Sequence, residues 1–282
     1  MLSDERNAKI SSHYGTVGLL DRIIDAAKRS GLILDAVNSK EFSPVAEFHI
    51  GGRAATVELG EMARLRSGQR VLDVGSGLGG PARTLAEEFD VLVDGVDLTP
   101  EFCDVATELT RLSGLDTKAK FFNGDALNLP VDVGDYDFVW TQQACMNIED
   151  KIRLVNEIQR VLKPGGSYIF QEIFLGHEGG EVTFPVPWAP SCEMSFLWPY
   201  EKFNKLAIDA GMINVSMVDV TSQLIGEYRK VAASTSNLSL PHMLGVHLIL
   251  GEQAGLMRTN VVKNLESGTI GVVRGIYQKD SN

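Results

Sequence analysis

The stretch Arg70-Val71-Leu72-Asp73-Val74-Gly75-Ser76-Gly77-Leu78-Gly79-Gly80 constrains this chain more than any other. It starts as a short apolar run, which predicts a buried strand, and breaks into glycines. Pro81-Ala82-Arg83-Thr84-Leu85-Ala86-Glu87 follows at helical spacing. Glycines at such a turn let backbone approach a ligand without Cβ clashes. The unpaired N–H groups of the helix start favour an anionic group. The next apolar run, Val91 to Val96, ends at Asp97. An acid at the end of the second strand, about 20 residues past the glycines, suits the two hydroxyls of a ribose. Together these features predict a strand–turn–helix–strand unit that holds a nucleotide-like ligand.

Gly75, Gly77 and Gly80 fit G-x-G-x-x-G, which alone suggests a nicotinamide dinucleotide, or a tight turn with no ligand. Neighbouring stretches decide between these readings. Gly124-Asp125-Ala126 follows a third strand, Tyr136-Asp137-Phe138-Val139-Trp140 reads as a fourth, and Val161-Leu162-Lys163-Pro164-Gly165-Gly166 closes a helix and opens a fifth. The ordered set VLDVGSGLGG, GVDLT, GDALNLP, YDFVW and VLKPGG resembles the class I S-adenosylmethionine (SAM) dependent methyltransferases, over roughly Ser67 to Phe174. The resemblance implies an α/β fold: a Rossmann-like, seven-stranded, mostly parallel sheet flanked by helices, with a helical and aromatic cap. It implies SAM as cofactor and S-adenosylhomocysteine (SAH) as product. It places Gly75, Ser76, Gly77, Gly79, Asp97, Leu98, Asp125, Ala126 and Gln142 around that cofactor, with Asp125 accepting from the adenine amino group.

Composition bounds the partners. A formal net charge of −11 is poorly suited to nucleic acid, because phosphate neutralisation needs clustered Lys and Arg. No apolar run approaches the roughly 18 residues of a membrane span. Met1 to Arg6 carries no secretory h-region. The three cysteines, Cys103, Cys145 and Cys192, make no metal-ligand spacing. The expectation is a cytoplasmic protein with reduced thiols, a small-molecule acceptor, no metal, no membrane, no nucleic acid and a possible homo-oligomeric state.

Residues 1–30 read as helix, with Leu19, Leu20, Ile23, Ile24 and Ala27 on one face and Gly31 as the stop. Tyr14 is either a packing aromatic or part of a lid over the site. Ser43-Pro44 predicts a break. Phe48-His49-Ile50-Gly51-Gly52-Arg53 then leads into a helix from about Ala54 to Leu65. His49 is either a structural histidine in a turn or a donor or base at the ligand. This phrase, together with Pro185-Val186-Pro187-Trp188 and Leu244-Gly245-Val246-His247, resembles the bacterial sarcosine/dimethylglycine N-methyltransferase-like proteins. The expected organisation is one domain over 1–282. It has an N-terminal helical lid at 1–66, a SAM-binding core at 67–174 and cap insertions at 175–199 and 222–267.

Thr141 to Asn147 follows the fourth strand and, by the resemblance, faces the acceptor. Asn147 stands where many relatives carry histidine and cannot act as a base. Gln171 and Glu172 interrupt the fifth strand, read as Tyr168 to Phe174. Glu172 is either a strand-end acid paired elsewhere or the floor of the acceptor pocket. Tyr200 to Ala210 reads as helix, Met212 to Thr221 as the sixth strand, 222–265 as mostly helical with a break at Pro241, and Thr269 to Gln278 as the last strand. His49 and Glu172 are the candidate catalytic residues; Tyr14, Trp188 and Asn147 are the candidate acceptor contacts. The reading is a small-molecule methyltransferase acting on an amine, or on carbon or oxygen of a biosynthetic intermediate. A C-methyltransferase of an isoprenoid or other secondary metabolite, a SAM-binding protein without catalysis and a nicotinamide oxidoreductase stand as alternatives.

Overall fold

In a computed structural model describing residues 7, 10, 11, 13, 14, 17–235 and 244–281, the glycine-rich stretch begins as strand β1, Arg70–Val74. Around it lie β2 (Leu92–Asp97), β3 (Ala119–Asn123), β4 (Tyr136–Gln142), β5 (Leu162–Leu175), β6 (Met212–Asp219) and β7 (Ile270–Lys279). The sheet order is β3-β2-β1-β4-β5-β7-β6. β1 to β5 run parallel, and β7 enters antiparallel between β5 and β6. This is the seven-stranded, mostly parallel Rossmann-like sheet. The helices are α1 (Leu19–Arg29), α2 (Ser39–Ala46), α3 (Gly52–Ala63), α4 (Gly80–Phe89), α5 (Pro100–Leu112), α6 (Lys151–Val161), α7 (Tyr200–Asp209), α8 (Thr221–Thr235), α9 (His247–Leu250) and α10 (Ala254–Glu266). No described helix is long and apolar enough to cross a membrane.

Strand alternation divides the core between the two faces of the sheet. Val71, Val93, Trp140, Ile169 and Ile276 pack with Leu59 of α3 and Leu85 of α4. Leu72, Val74, Val139, Tyr168, Phe170 and Tyr277 pack with Ile158 of α6 and Phe203 of α7. Truncating the fully buried Trp140 to alanine would cost about 3–5 kcal/mol in transfer energy and residual cavity. A third cluster joins Ile50, Met146, Ile173, Val186, Trp188, Leu224, Val261 and Leu265, and so seals the cap onto the C-terminal ends of the strands.

Several local expectations need correction. The N-terminal helix is interrupted, because Val17 and Gly18 form a turn and Gly18 is left-handed at φ 76°. Pro44 does not end a helix but lies inside α2. A capping box of Asn38 and Glu41 starts that short helix, and buried Phe42, Val45 and Ala46 hold it against the core, offsetting the proline. β5 starts six residues early, at Leu162, where Tyr136 of β4 pairs with it. β6 ends at Asp219, and Thr221 already opens α8. Pro241 lies outside the described residues.

Candidate functional site

A cavity of about 640 Å³ opens at the C-terminal ends of β1, β2 and β4. The glycine turn forms one wall. Gly75 is left-handed at φ 78°, and a Cβ there would fall 2.4 Å from the Ala144 Cβ. Gly77 is left-handed at φ 53°, and its N–H donates to Asp97 Oδ2 at 2.8 Å. Thr99 N–H donates to Asp97 Oδ1 at 2.9 Å. The Thr99 hydroxyl also bonds this carboxylate, and the lone pairs left over are those a vicinal diol would use. Burial pushes the Asp97 carboxyl above its ordinary range, against the pull of the Thr99 and Gly77 amides. Ser76 Oγ and Gln142 Nε2 are buried without a partner among the described residues, and both residues line the cavity. Buried polar atoms are ordinarily satisfied, so these mark positions where a ligand's polar atoms would be received. Asp125 accepts from Leu127 N–H at 2.8 Å and from the Asn7 side-chain amide at 2.9 Å.

The second wall comes from the segment between α2 and α3. His49 Nε2 lies 2.7 Å from Glu47 Oε2, and its Nδ1 lies 3.3 Å from the Ile50 carbonyl. Both ring nitrogens therefore have protein partners. Glu47 also accepts from Thr56 at 2.9 Å and from the Thr84 hydroxyl. Burial pushes the Glu47 carboxyl up, but the bonds from His49, Thr84 and Thr56 outweigh it and hold the group below its ordinary range. Ile50 is clamped at both backbone atoms. Its N–H donates to Gln143 Oε1 at 2.9 Å, and its carbonyl accepts from Gln171 Nε2 at 2.8 Å. Gln171 Oε1 accepts from Arg274 at 2.8 Å, and Arg274 reaches Glu58 of α3 at 2.6 Å.

The third wall belongs to the cap. The Tyr14 hydroxyl donates to Asn147 Oδ1, and Asn147 Nδ2 donates to the Trp188 carbonyl at 2.7 Å and the Met194 carbonyl at 3.2 Å. Trp188 Nε1 donates to Ser195 Oγ at 3.0 Å. Burial, and then the nearby Asp97 charge, push the Tyr14 phenol above its ordinary value, so it stays a neutral donor. Met146, Trp188, Leu224 and Val261 pack together and make this wall apolar, Phe48 meets Tyr14 edge-on, and Glu149, Glu227 and Arg258 are further charged residues of the cavity lining. The Arg258 guanidinium sits 5.4 Å from the centroid of the Tyr228 ring.

Of the residues singled out by sequence, twelve line this one cavity: Tyr14, His49, Gly75, Ser76, Gly77, Asp97, Leu98, Asp125, Ala126, Gln142, Asn147 and Trp188. Gly79 and Glu172 are absent from the lining. Gly79 is left-handed at φ 72° and packs on Phe121, whose ring a Cβ would meet at 2.5 Å. Glu172 is fully buried and accepts from the backbone of Ala144 at 3.2 Å and Cys145 at 3.1 Å. Burial pushes its carboxyl up, against those two amides and the Thr141 and Cys145 side chains. It is a strand-end acid paired elsewhere, with backbone amides and not an arginine, because the loop after β4 folds over the end of β5. Sequence reasoning missed Glu47, Gln143 and Arg274. A carboxylate two residues before His49 was a visible signal for Glu47; the others depend on tertiary pairing.

Residues 72–170 match the family model of a methyltransferase domain. The methyltransferase GfsG of Streptomyces halstedii is 29% identical over 183 residues, which are 64% of this chain and 64% of that protein. The chain spans between 29% and 44% of the length of further curated methyltransferases that it matches. Among solved structures, a Galdieria sulphuraria protein assigned provisionally as a sarcosine dimethylglycine methyltransferase superposes with a TM-score of 0.66 at 21% identity, covering 80% of this chain and 86% of that one. Geranyl diphosphate C-methyltransferase from Streptomyces coelicolor superposes with a TM-score of 0.69 at 18% identity, covering 97% and 98%. Residues 72–170 thus carry a methyltransferase domain, and the glycine turn and strand order belong to the Rossmann-like fold of the class I SAM-dependent methyltransferases.

Proposed function

We propose that this protein transfers a methyl group from SAM to a small, largely apolar acceptor. One observation carries the reading: a single cavity runs from a glycine turn with a diol-competent carboxylate to an apolar chamber under the cap. In it, Gly75, Ser76 and Gly77 hold the methionine end, Asp97 the ribose and Asp125 the adenine amino group, with Leu98, Ala126 and Gln142 around them. When bound, SAM supplies a methyl group activated on a sulfonium. The chain's own work is then positioning and exclusion of water. Tyr14, Asn147 and Trp188 orient the acceptor, and Asn147 takes no proton. His49, fixed by Glu47, presents its ring edge to the acceptor.

Among the described lining residues Arg258 is the one arginine, beside two further acids, Glu149 and Glu227, and this balance supports an acceptor without phosphate. Calorimetry with SAM, SAH and NAD tests the cofactor. Binding of NAD and not SAM would overturn the reading. Incubation with SAM and a panel of apolar amines, alcohols and phenols, followed by mass spectrometry, tests the transfer: a product heavier by one methylene is the expected result.

A further inference from the structure

The loop between β4 and α6 is gripped from two sides by buried ions. Below it, Glu172 Oε1 accepts from Ala144 N–H at 3.2 Å and Oε2 from Cys145 N–H at 3.1 Å. From the other end, Lys151 Nζ donates to the Cys145 carbonyl at 2.7 Å, to the Phe196 carbonyl at 3.0 Å and to the Ile148 carbonyl. The N–H and the C=O of Cys145 are therefore held by opposite charges. Glu172 is 0% exposed and Lys151 3% exposed. Burying two ions is expensive, and an apolar pair of similar volume often serves stability as well or better. What the ions hold explains them better than stability does.

The held loop meets three parts of the site. Ala144 lies against Gly75, close enough that a Cβ on the glycine would fall 2.4 Å from it. Met146 and Asn147 line the apolar half of the cavity. Phe196 of the cap donates its N–H to the Met146 carbonyl at 2.8 Å while its own carbonyl takes the Lys151 ammonium. We propose that Glu172 and Lys151 are positioning residues: Glu172 sets the loop against the glycine turn, and Lys151 locks the cap to the loop. Glu172 acts through the Ala144 and Cys145 amides and touches no reacting atom. The inference rests on the methyltransferase reading only for the ligand used to test it.

The test uses the full chain, SAH as the probe, and hydrogen–deuterium exchange read by mass spectrometry. Glu172→Gln turns an NH₂ toward one of the two amides it must accept from. The expected result is an SAH affinity lower by about tenfold or more, since bonds to charged groups are the strong ones. Exchange at Ala144 and Cys145 should quicken while β1 and β2 stay protected. Lys151→Met should quicken exchange across residues 188–198 and leave SAH affinity within about threefold, and Lys151→Arg should restore protection by keeping charge and donors. Glu172→Asp, which keeps the charge but withdraws it, should move SAH affinity the same way by less if the glutamine variant does not fold. Unchanged SAH affinity in both Glu172 variants, unchanged cap exchange in Lys151→Met, or a uniform rise over the whole sheet would each overturn the proposal. If the wild-type protein does not bind SAH, the cofactor reading fails, and the exchange patterns alone decide the positioning roles.

Discussion

The Tyr14 hydroxyl and the Asn147 amide oxygen lie 2.8 Å apart across 133 residues of sequence. The same asparagine uses its NH₂ group on the Trp188 and Met194 carbonyls, so the N-terminal segment, the post-β4 loop and the cap meet at one side chain. Tyr14→Phe removes one neutral hydrogen bond and should lower unfolding stability by about 1 kcal/mol. Asn147→Asp should cost more, about 1–3 kcal/mol, because a carboxylate then faces two carbonyl oxygens. Urea unfolding of the two variants checks the order; an Asp variant as stable as the Phe variant would show that Asn147 is not held as described.

Gly75 and Gly77 are both left-handed, yet they should differ on substitution. A Cβ at Gly75 would lie 2.4 Å from Ala144 Cβ, whereas one at Gly77 meets nothing within 4 Å. Each alanine carries about 1–2 kcal/mol of backbone strain, and Gly75→Ala adds displacement of the loop. Gly75→Ala should lower both the melting temperature and SAH affinity more than Gly77→Ala. Equal effects by scanning calorimetry and titration would contradict this contact.

Asp97 predicts a pH dependence with a definite sign. Its carboxyl is held above the ordinary value of 3.8, chiefly by burial. The native protein therefore keeps that proton more tightly than the unfolded chain. This group's contribution to stability is full below 3.8 and is lost as pH rises through the raised value. Ligand binding runs the other way, since a diol needs the carboxylate. SAH affinity should fall as pH drops through the raised value, and Asp97→Asn should bind about tenfold or more weaker at neutral pH with a flat profile. Titrations from pH 4 upward separate the two; a sloped profile in the variant would assign the dependence elsewhere.

Arg274 carries a prediction for the support beneath His49. It donates to Gln171 Oε1 at 2.8 Å and to Glu58 at 2.6 Å, and Gln171 in turn holds the Ile50 carbonyl. Lysine offers a single ammonium in place of a planar fork. Arg274→Lys should cost about 1–3 kcal/mol through the acceptor left unmet. Exchange at the Ile50 amide should rise in the same variant, measured on peptides spanning residues 47–56.

The alternation of apolar runs with helical stretches made the parallel half of the sheet readable, because each βα unit is local. The cavity's main parts were readable for the same reason: Gly75, Asp97 and Asp125 all sit at ends of consecutive strands. Glu172 misled because strand alternation tells which side a carboxylate takes, and not which backbone folds over it. At Gly79 a packing demand from Phe121 and a ligand demand leave the same residue type, so the sequence cannot separate them. Gln171 and Arg274 stand opposite each other only through the register of β5 with β7, a pairing across 103 residues that no local pattern encodes. Pro44 shows a propensity overruled by a capping box and three buried neighbours.

β7 occupies the last strand position in the chain but an interior one in the sheet, between β5 and β6. During synthesis, β5 waits with one side of its ladder open until residues 270–279 have left the ribosome, at about 5–20 residues per second. The clamp on Ile50 is completed from that same strand. The ligand chamber therefore acquires its final shape only once β7 has docked, however early its glycine turn has formed, and a chain cut short of β7 carries the recognition residues without the frame that aims them.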